Sequence, residues 1–312
     1  MNYGQIIKRA YEIIKTRRFL WWLGILAALT GGTGINLPSF NFYNFGGSSY
    51  EKESSNAGKV LGESATKCSD FMATYWPLIL LSIFLFIFIF LLILWLSYSA
   101  RAGLIFSVRE IEEKKKAQNF KTAFKCGERF ALKLFLLNLL ITLFILLAII
   151  FFGAPILLVF FAGINTASII FAAIWGILAV IIIIILAVYL GLISIISERF
   201  LVLNQARVIE SFKSAHQILR KNFGEVLLLW LINVGISLVF AFVSGIALVI
   251  IIGILVGLGF LIYYLAHTFG LIIYGSIFGL TLIILLFIIS GIYFSFISSY
   301  WTLAFLALKK EG

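Results

Sequence analysis

The chain holds few residues that could do chemistry. There are two histidines, His216 and His267, and two cysteines, Cys68 and Cys126. Hydrolysis would need a nucleophile beside a base, or a cluster of metal ligands. His216 lies in a basic stretch and His267 in the middle of a long uncharged one, so the two are expected at opposite membrane faces. Cys68 and Cys126 are separated in the same way, which excludes pairing within one chain. No catalytic centre, cofactor site or metal site is therefore expected, and the chain is not expected to be an enzyme. Ion-coupled transport would normally place a carboxylate inside a span, and the uncharged stretches contain none. Their polar side chains include Asn138, Asn165 and Asn233 with Ser290, Ser295, Ser298 and Ser299. Asn138 and Asn233 end the similar tripeptides Leu136-Leu137-Asn138 and Leu231-Ile232-Asn233. Both are expected inside the bundle, as interhelical hydrogen-bonding groups worth about 1 kcal/mol each or, in the other reading, as the lining of a path for a neutral or lipid-like solute.

These residues need elements to carry them, and composition says which. Of 312 residues, 62% are hydrophobic and 12% charged, against roughly half and a quarter in an average soluble domain. The excess cannot be hidden in a soluble core. Leu134 to Ser197 and Val226 to Leu308 carry no charge over 64 and 83 positions, several times the roughly 20 residues that cross a bilayer. Runs such as Ile181 to Ile185 do not alternate, which removes a β-barrel. The expected fold is all-α, a polytopic integral membrane helical bundle forming a single domain over 1–312. About six spans are expected, with eight as the alternative, since the second uncharged stretch could hold two spans or four. Gly153-Ala154-Pro155 and Gly163-Ile164-Asn165-Thr166 are expected to break the first.

Of the 24 Lys and Arg residues, 21 cluster in residues 1–18, 101–133, 196–225 and at Lys309-Lys310, and the other three, Lys52, Lys59 and Lys67, lie among acidic residues between 31 and 75. Basic residues are retained on the cytoplasmic side during insertion, so both termini and both basic loops are expected there, with an outer loop over 31–75. The net charge of +11 is accordingly read as topology and contact with anionic headgroups, not as nucleic-acid binding. The first apolar stretch, Phe19 to Leu29, lies beside Trp21 and Trp22 as interfacial anchors. It is expected to be retained rather than cleaved, because Glu12 precedes it and no small-x-small site follows.

A repeat emerges from the basic stretches: Lys8-Arg9-Ala10-Tyr11, Lys121-Thr122-Ala123-Phe124 and Lys213-Ser214-Ala215-His216. Around the first copy, Ile6, Ile7, Ala10, Tyr11 and Ile14 share one helical face and charged residues the other, the pattern of an in-plane interfacial helix. Three tandem units are expected, about 1–100, 101–197 and 198–308, each an amphipathic cytoplasmic helix followed by a transmembrane hairpin. Lys8, Arg9, Lys121, Lys213, Arg220 and Lys221 are the candidate contacts to lipid headgroups, and a membrane or cytoplasmic protein partner is also possible on these helices. Gly253-x-x-x-Gly257 and Gly275-x-x-x-Gly279 offer close helix contact within or between subunits.

Ser197-Glu198-Arg199-Phe200, Val208-Ile209-Glu210, Ala215, Leu219 and Asn222-Phe223 before a long span resemble the membrane domain of glycerophosphoryl diester phosphodiesterases and its free-standing prokaryotic relatives. Arg18-Phe19-Leu20-Trp21-Trp22-Leu23-Gly24 and Tyr300-Trp301-Thr302-Leu303 are similar as well. In that family the phosphodiesterase activity belongs to a separate soluble barrel, for which no stretch is present here, so the resemblance implies no activity. It does imply the plasma membrane of a prokaryote.

Overall fold

A computed structural model describes residues 2–29, 57–114, 119–162 and 166–311. Much of the expected outer loop, and Gly163-Ile164-Asn165 of the second expected break, fall outside them. Every element among the described residues is a helix: α1 (Tyr3–Thr16), α2 (Phe19–Ala28), α3 (Ala57–Lys114), α4 (Phe120–Ala162), α5 (Thr166–Asn204), α6 (Val208–Lys221) and α7 (Phe223–Glu311). In hydrocarbon each backbone N–H and C=O must be bonded within the protein, and a helix does this locally.

The two uncharged stretches fold back on themselves. Helical geometry continues through all 89 residues of α7, which laid straight would reach about 134 Å. Yet the Tyr274 hydroxyl donates to the Leu255 carbonyl, Ser237 bonds the Tyr293 hydroxyl, and Tyr300 donates to the Leu229 carbonyl. One residue number rises as the other falls, so two arms, 223–264 and 274–309, run antiparallel about a reversal near residue 265. This stretch therefore holds two spans, not four. Likewise α4 and α5 form a hairpin, with the Trp175 indole donating to the Phe152 carbonyl at 3.0 Å. The expected break at Gly153-Ala154-Pro155 does not occur: α4 runs through Pro155 to Ala162. The proline removes one helical hydrogen bond, but with no water to accept an open turn the helix continues. The Trp175 donor sits one residue from Phe151, whose carbonyl the proline leaves without its usual partner.

Among the described residues, five helical segments are long and apolar enough to cross a membrane: 75–113, 120–156, 170–204, 223–264 and 274–309. The chain is a multi-pass membrane protein. The stretch expected as the first span is α2, ten apolar residues, about 15 Å and half a hydrocarbon thickness. Ser97 Oγ donates to the Ala27 carbonyl at 2.9 Å and Ser295 Oγ to the Leu20 carbonyl at 2.7 Å, so both ends of α2 are tied to other helices.

Two compact units result, one of residues 1–34 with 96–312 and one of residues 35–95. In the second, the described part is helical and carries exposed Phe84 and Phe86. In the first, α1 and α2 pack on α7, α4 on α5, and α6 on α5, α4 and α7. The helix termini that carry charge gather at one end of this unit. There Arg9 of α1 meets Glu112 of α3, Arg109 of α3 meets the Leu203 carbonyl of α5, and Lys309 of α7 meets Asn204.

The first and third basic pieces are separate amphipathic helices, α1 and α6. The middle piece, Lys121 to Leu134, is the opening of α4. The backbone explains the difference: Arg17 and Asn222 leave helical geometry, at φ −117°, ψ 80° and φ −120°, ψ 37°, whereas Lys133-Leu134-Phe135 offers no such stop. Between α5 and α6 the chain turns at Gln205, whose φ of 56° is in the left-handed region.

Candidate functional site

The repeated Lys-x-Ala motif places its residues in one way three times. Ala10, Ala123 and Ala215 have no exposed surface, while Lys8, Lys121 and Lys213 are exposed. Each small residue lets its helix approach a neighbour, and the lysine two positions earlier then points away from that contact. The third position is filled by exposed Tyr11, half-buried Phe124 and exposed His216. His216 shares a hydrogen bond of 2.8 Å with Tyr189 of α5, so it helps to hold α6 on the bundle.

The six candidate headgroup contacts divide. Lys8, Lys121, Lys213, Arg220 and Lys221 are exposed. Arg9 is engaged: its Nε donates to Glu112 at 2.9 Å and its Nη1 to Glu12 at 3.3 Å. The Glu112 hydrogen bond and charge raise the pKa of the Arg9 guanidinium above its ordinary value. This pair lines a cavity of about 850 Å³ shared by α1, the end of α3 and the end of α7. On α4, Lys121 is joined by Lys125 and Arg129, spaced one helical turn apart along the same face. With Thr122 and Cys126 they line a groove of about 280 Å³. Lys125 and Arg129 escaped the sequence reading because it tracked only the four-residue motif, although their spacing was there to be read.

Asn138 and Asn233 do not share a partner. The Asn138 amide donates to the Tyr98 hydroxyl of α3 at 2.8 Å, while Asn233 of α7 is 2% exposed and its Oδ1 has no hydrogen-bond partner among the described residues. Interhelical bonding is the role Asn138 fills.

The buried polar groups concentrate elsewhere. Ser97, Ser99, Arg101, Ser107 and Glu110 on α3, Ser197 and Arg199 on α5, and Ser295, Ser298, Ser299 and Thr302 on α7 are all buried. These are the last parts of α3, α5 and α7. They run parallel, since contacts between them keep increasing residue numbers in step: Arg101 with Glu198 and Arg109 with Leu203, Phe200 with Phe305 and Asn204 with Lys309. The three segments also align as Ser99-Ala100-Arg101, Ser197-Glu198-Arg199 and Ser299-Tyr300-Trp301.

Arg101 and Arg199 are 4% and 5% exposed. They share the Glu198 carboxylate, at 4.0 Å from Arg101 Nη1 and 3.3 Å from Arg199 Nη1. Arg199 Nη1 also donates to the Ile195 carbonyl at 2.7 Å, and the Arg101 guanidinium lies 5.1 Å from the Tyr98 ring and 5.6 Å from the Phe294 ring. Arg199 Nε and Trp301 Nε1 are buried with no hydrogen-bond partner among the described residues. All three ionisable groups were expected in cytoplasmic loops, because they stand just past the uncharged runs. The structure instead packs them inside the convergence of α3, α5 and α7. What the cluster can do chemically is hold negative charge.

No curated protein and no solved structure matches the chain. A family model matches residues 13–310, nearly the full length, and the chain therefore belongs to a family of unknown function, DUF7544.

Proposed function

We propose that this multi-pass protein is non-catalytic and docks anionic lipid headgroups, or a partner presenting the same charge, on the basic face of its charged end. The carrying observation is the threefold outward placement of Lys8, Lys121 and Lys213 opposite three fully buried alanines. The Lys121–Lys125–Arg129 groove and exposed Arg220 and Lys221 extend that face. Cations held beside a membrane surface gain roughly 1 kcal/mol each from anionic lipid. The face is taken as cytoplasmic from the distribution of Lys and Arg, and the resemblance to the membrane domain of glycerophosphoryl diester phosphodiesterases supports the plasma membrane of a prokaryote. Passage of a neutral solute would need Asn138 and Asn233 on a common path, and Asn138 is bonded to Tyr98 instead.

The test is reconstitution of the full chain with Lys213, Arg220 and Lys221 replaced by Gln, and separately with Lys121, Lys125 and Arg129 replaced. Each set is expected to weaken enrichment of anionic lipid around the purified, folded protein, and the loss should shrink as salt rises. Unchanged enrichment in both would refute the reading. Orientation is tested by Ser48→Cys in a chain whose own cysteines are replaced (Cys68→Ser, Cys126→Ser), expected to react with an impermeant thiol reagent added outside the cell.

A further inference from the structure

We propose that Arg101 and Arg199 form a binding site for a phosphate-type oxyanion, with Glu198 as its built-in, displaceable counter-ion. Two buried arginines, whose side chains are 5% and 6% exposed, share one carboxylate. At 3.3 Å the Arg199 contact is longer than the 2.7–2.9 Å of a charge-assisted N–H···O bond, so the carboxylate between the two arginines does not close fully on Arg199. Arg199 Nε is a buried donor with no hydrogen-bond partner among the described residues. Leaving such a donor unmet in a buried site is costly, because the water it gave up is not replaced. A tetrahedral oxyanion spreads more acceptor oxygens than a carboxylate, and the guanidinium fork matches it in pairs. Glu198 is the way in: its side chain is 16% exposed, against 5% and 6% for the two arginine side chains. An incoming oxyanion would take its place as Glu198 swings outward. Parallel packing of α3, α5 and α7 brings the two arginines together, so anion binding also bears on how these three helices are held.

The site is independent of the surface cations, which contribute no residue to it. The test uses the full chain in a maltoside detergent, which has no phosphate, and follows thermal unfolding against inorganic phosphate with chloride at equal ionic strength as the blank. A parallel arm uses a short-chain phosphatidic acid. Phosphate-dependent stabilisation of the native chain is expected in at least one arm. Response to inorganic phosphate marks a soluble ligand, and response to the lipid alone marks a headgroup; either supports the site. Glu198→Gln, which removes the competing carboxylate, is expected to bind roughly tenfold tighter, while Arg199→Gln loses the response and Arg199→Lys retains part of it. If Arg199→Gln does not fold, Glu198→Gln decides alone. Equal unfolding midpoints in phosphate, lipid and chloride, for both the native chain and Glu198→Gln, would overturn the proposal.

Discussion

The two ends of the larger unit are built by different rules, and glycine shows it most clearly. At the charged end, a Cβ on Gly24 would meet the Gly291 carbonyl and Ser295 Oγ, and one on Gly127 would meet the Ser99 carbonyl and the Gly103 backbone. Backbones touch there because only glycine permits it. In the arms of α7, a Cβ on Gly253, Gly257, Gly275 or Gly279 would meet nothing within 4 Å, although these four have the small-x-x-x-small spacing. Exposure follows the same division. Leu238, Phe242 and Phe260 are about two-thirds exposed or more, whereas Leu104, Leu201 and Ala304 are fully buried. Lipid tails satisfy an apolar arm as well as protein does, so the arms need only be hydrophobic. The charged end carries buried polar groups that lipid tails cannot satisfy, and has to be held by fitted contacts.

If that contrast holds, the largest loss follows from filling a backbone contact. Gly127→Val forces α4 away from α3, and a destabilisation on the order of 3 kcal/mol or more is expected. Unfolding in detergent by denaturant titration would measure it. A loss no greater than that of Gly245→Val, whose Cβ meets nothing within 4 Å, would remove the distinction between the ends.

The motif alanines come next. Ala10→Leu, Ala123→Leu and Ala215→Leu each overfill a closed contact and should cost about 1–3 kcal/mol. Lys213→Gln, two positions away on the exposed side, should change stability little. Three similar penalties would support a common packing role for three pieces of which one, in α4, is not a separate helix. A neutral Ala123→Leu would set the middle copy apart.

The division also explains what was legible in the sequence. The helical character of the uncharged runs and the reversal of the long one depend on composition and local period, and these appear as read. Gly153-Ala154-Pro155 misled because turn chemistry presupposes water to satisfy the open backbone. Arg101, Glu198 and Arg199 misled for a different reason. A charge at the end of an apolar run looks the same in one strand of text whether it faces water or two other helices. Its burial follows from the convergence of α3, α5 and α7, residues about 100 apart, and no single helical period records that. The recurring Ser-x-Arg of residues 99–101 and 197–199 was the visible trace.

Hydrogen bonds between the arms of α7 offer a finer test. Tyr300 is fully buried at the charged end and donates to the Leu229 carbonyl at 3.0 Å. Tyr300→Phe leaves that carbonyl with one bond fewer in a closed site, and a loss of about 1 kcal/mol is expected. Tyr274→Phe removes the corresponding bond near the reversal, where the hydroxyl is half-buried, and should cost less. The ratio of the two losses, read from unfolding midpoints under one detergent, ranks the ends directly.

The smallest effect should also have the opposite sign. Gly253→Ala and Gly257→Ala add a methyl group where no atom of the chain stands within 4 Å. Alanine favours a helix over glycine by up to about 1 kcal/mol, so each variant should be slightly more stable than the native chain. The same positions are where a second copy of the chain would press if the spacing served contact between subunits. In that case the added methyl groups would reduce stability and shift the protein toward a smaller species on gel filtration. A gain in stability with unchanged size would leave these glycines facing lipid and confine backbone-to-backbone packing to the charged end.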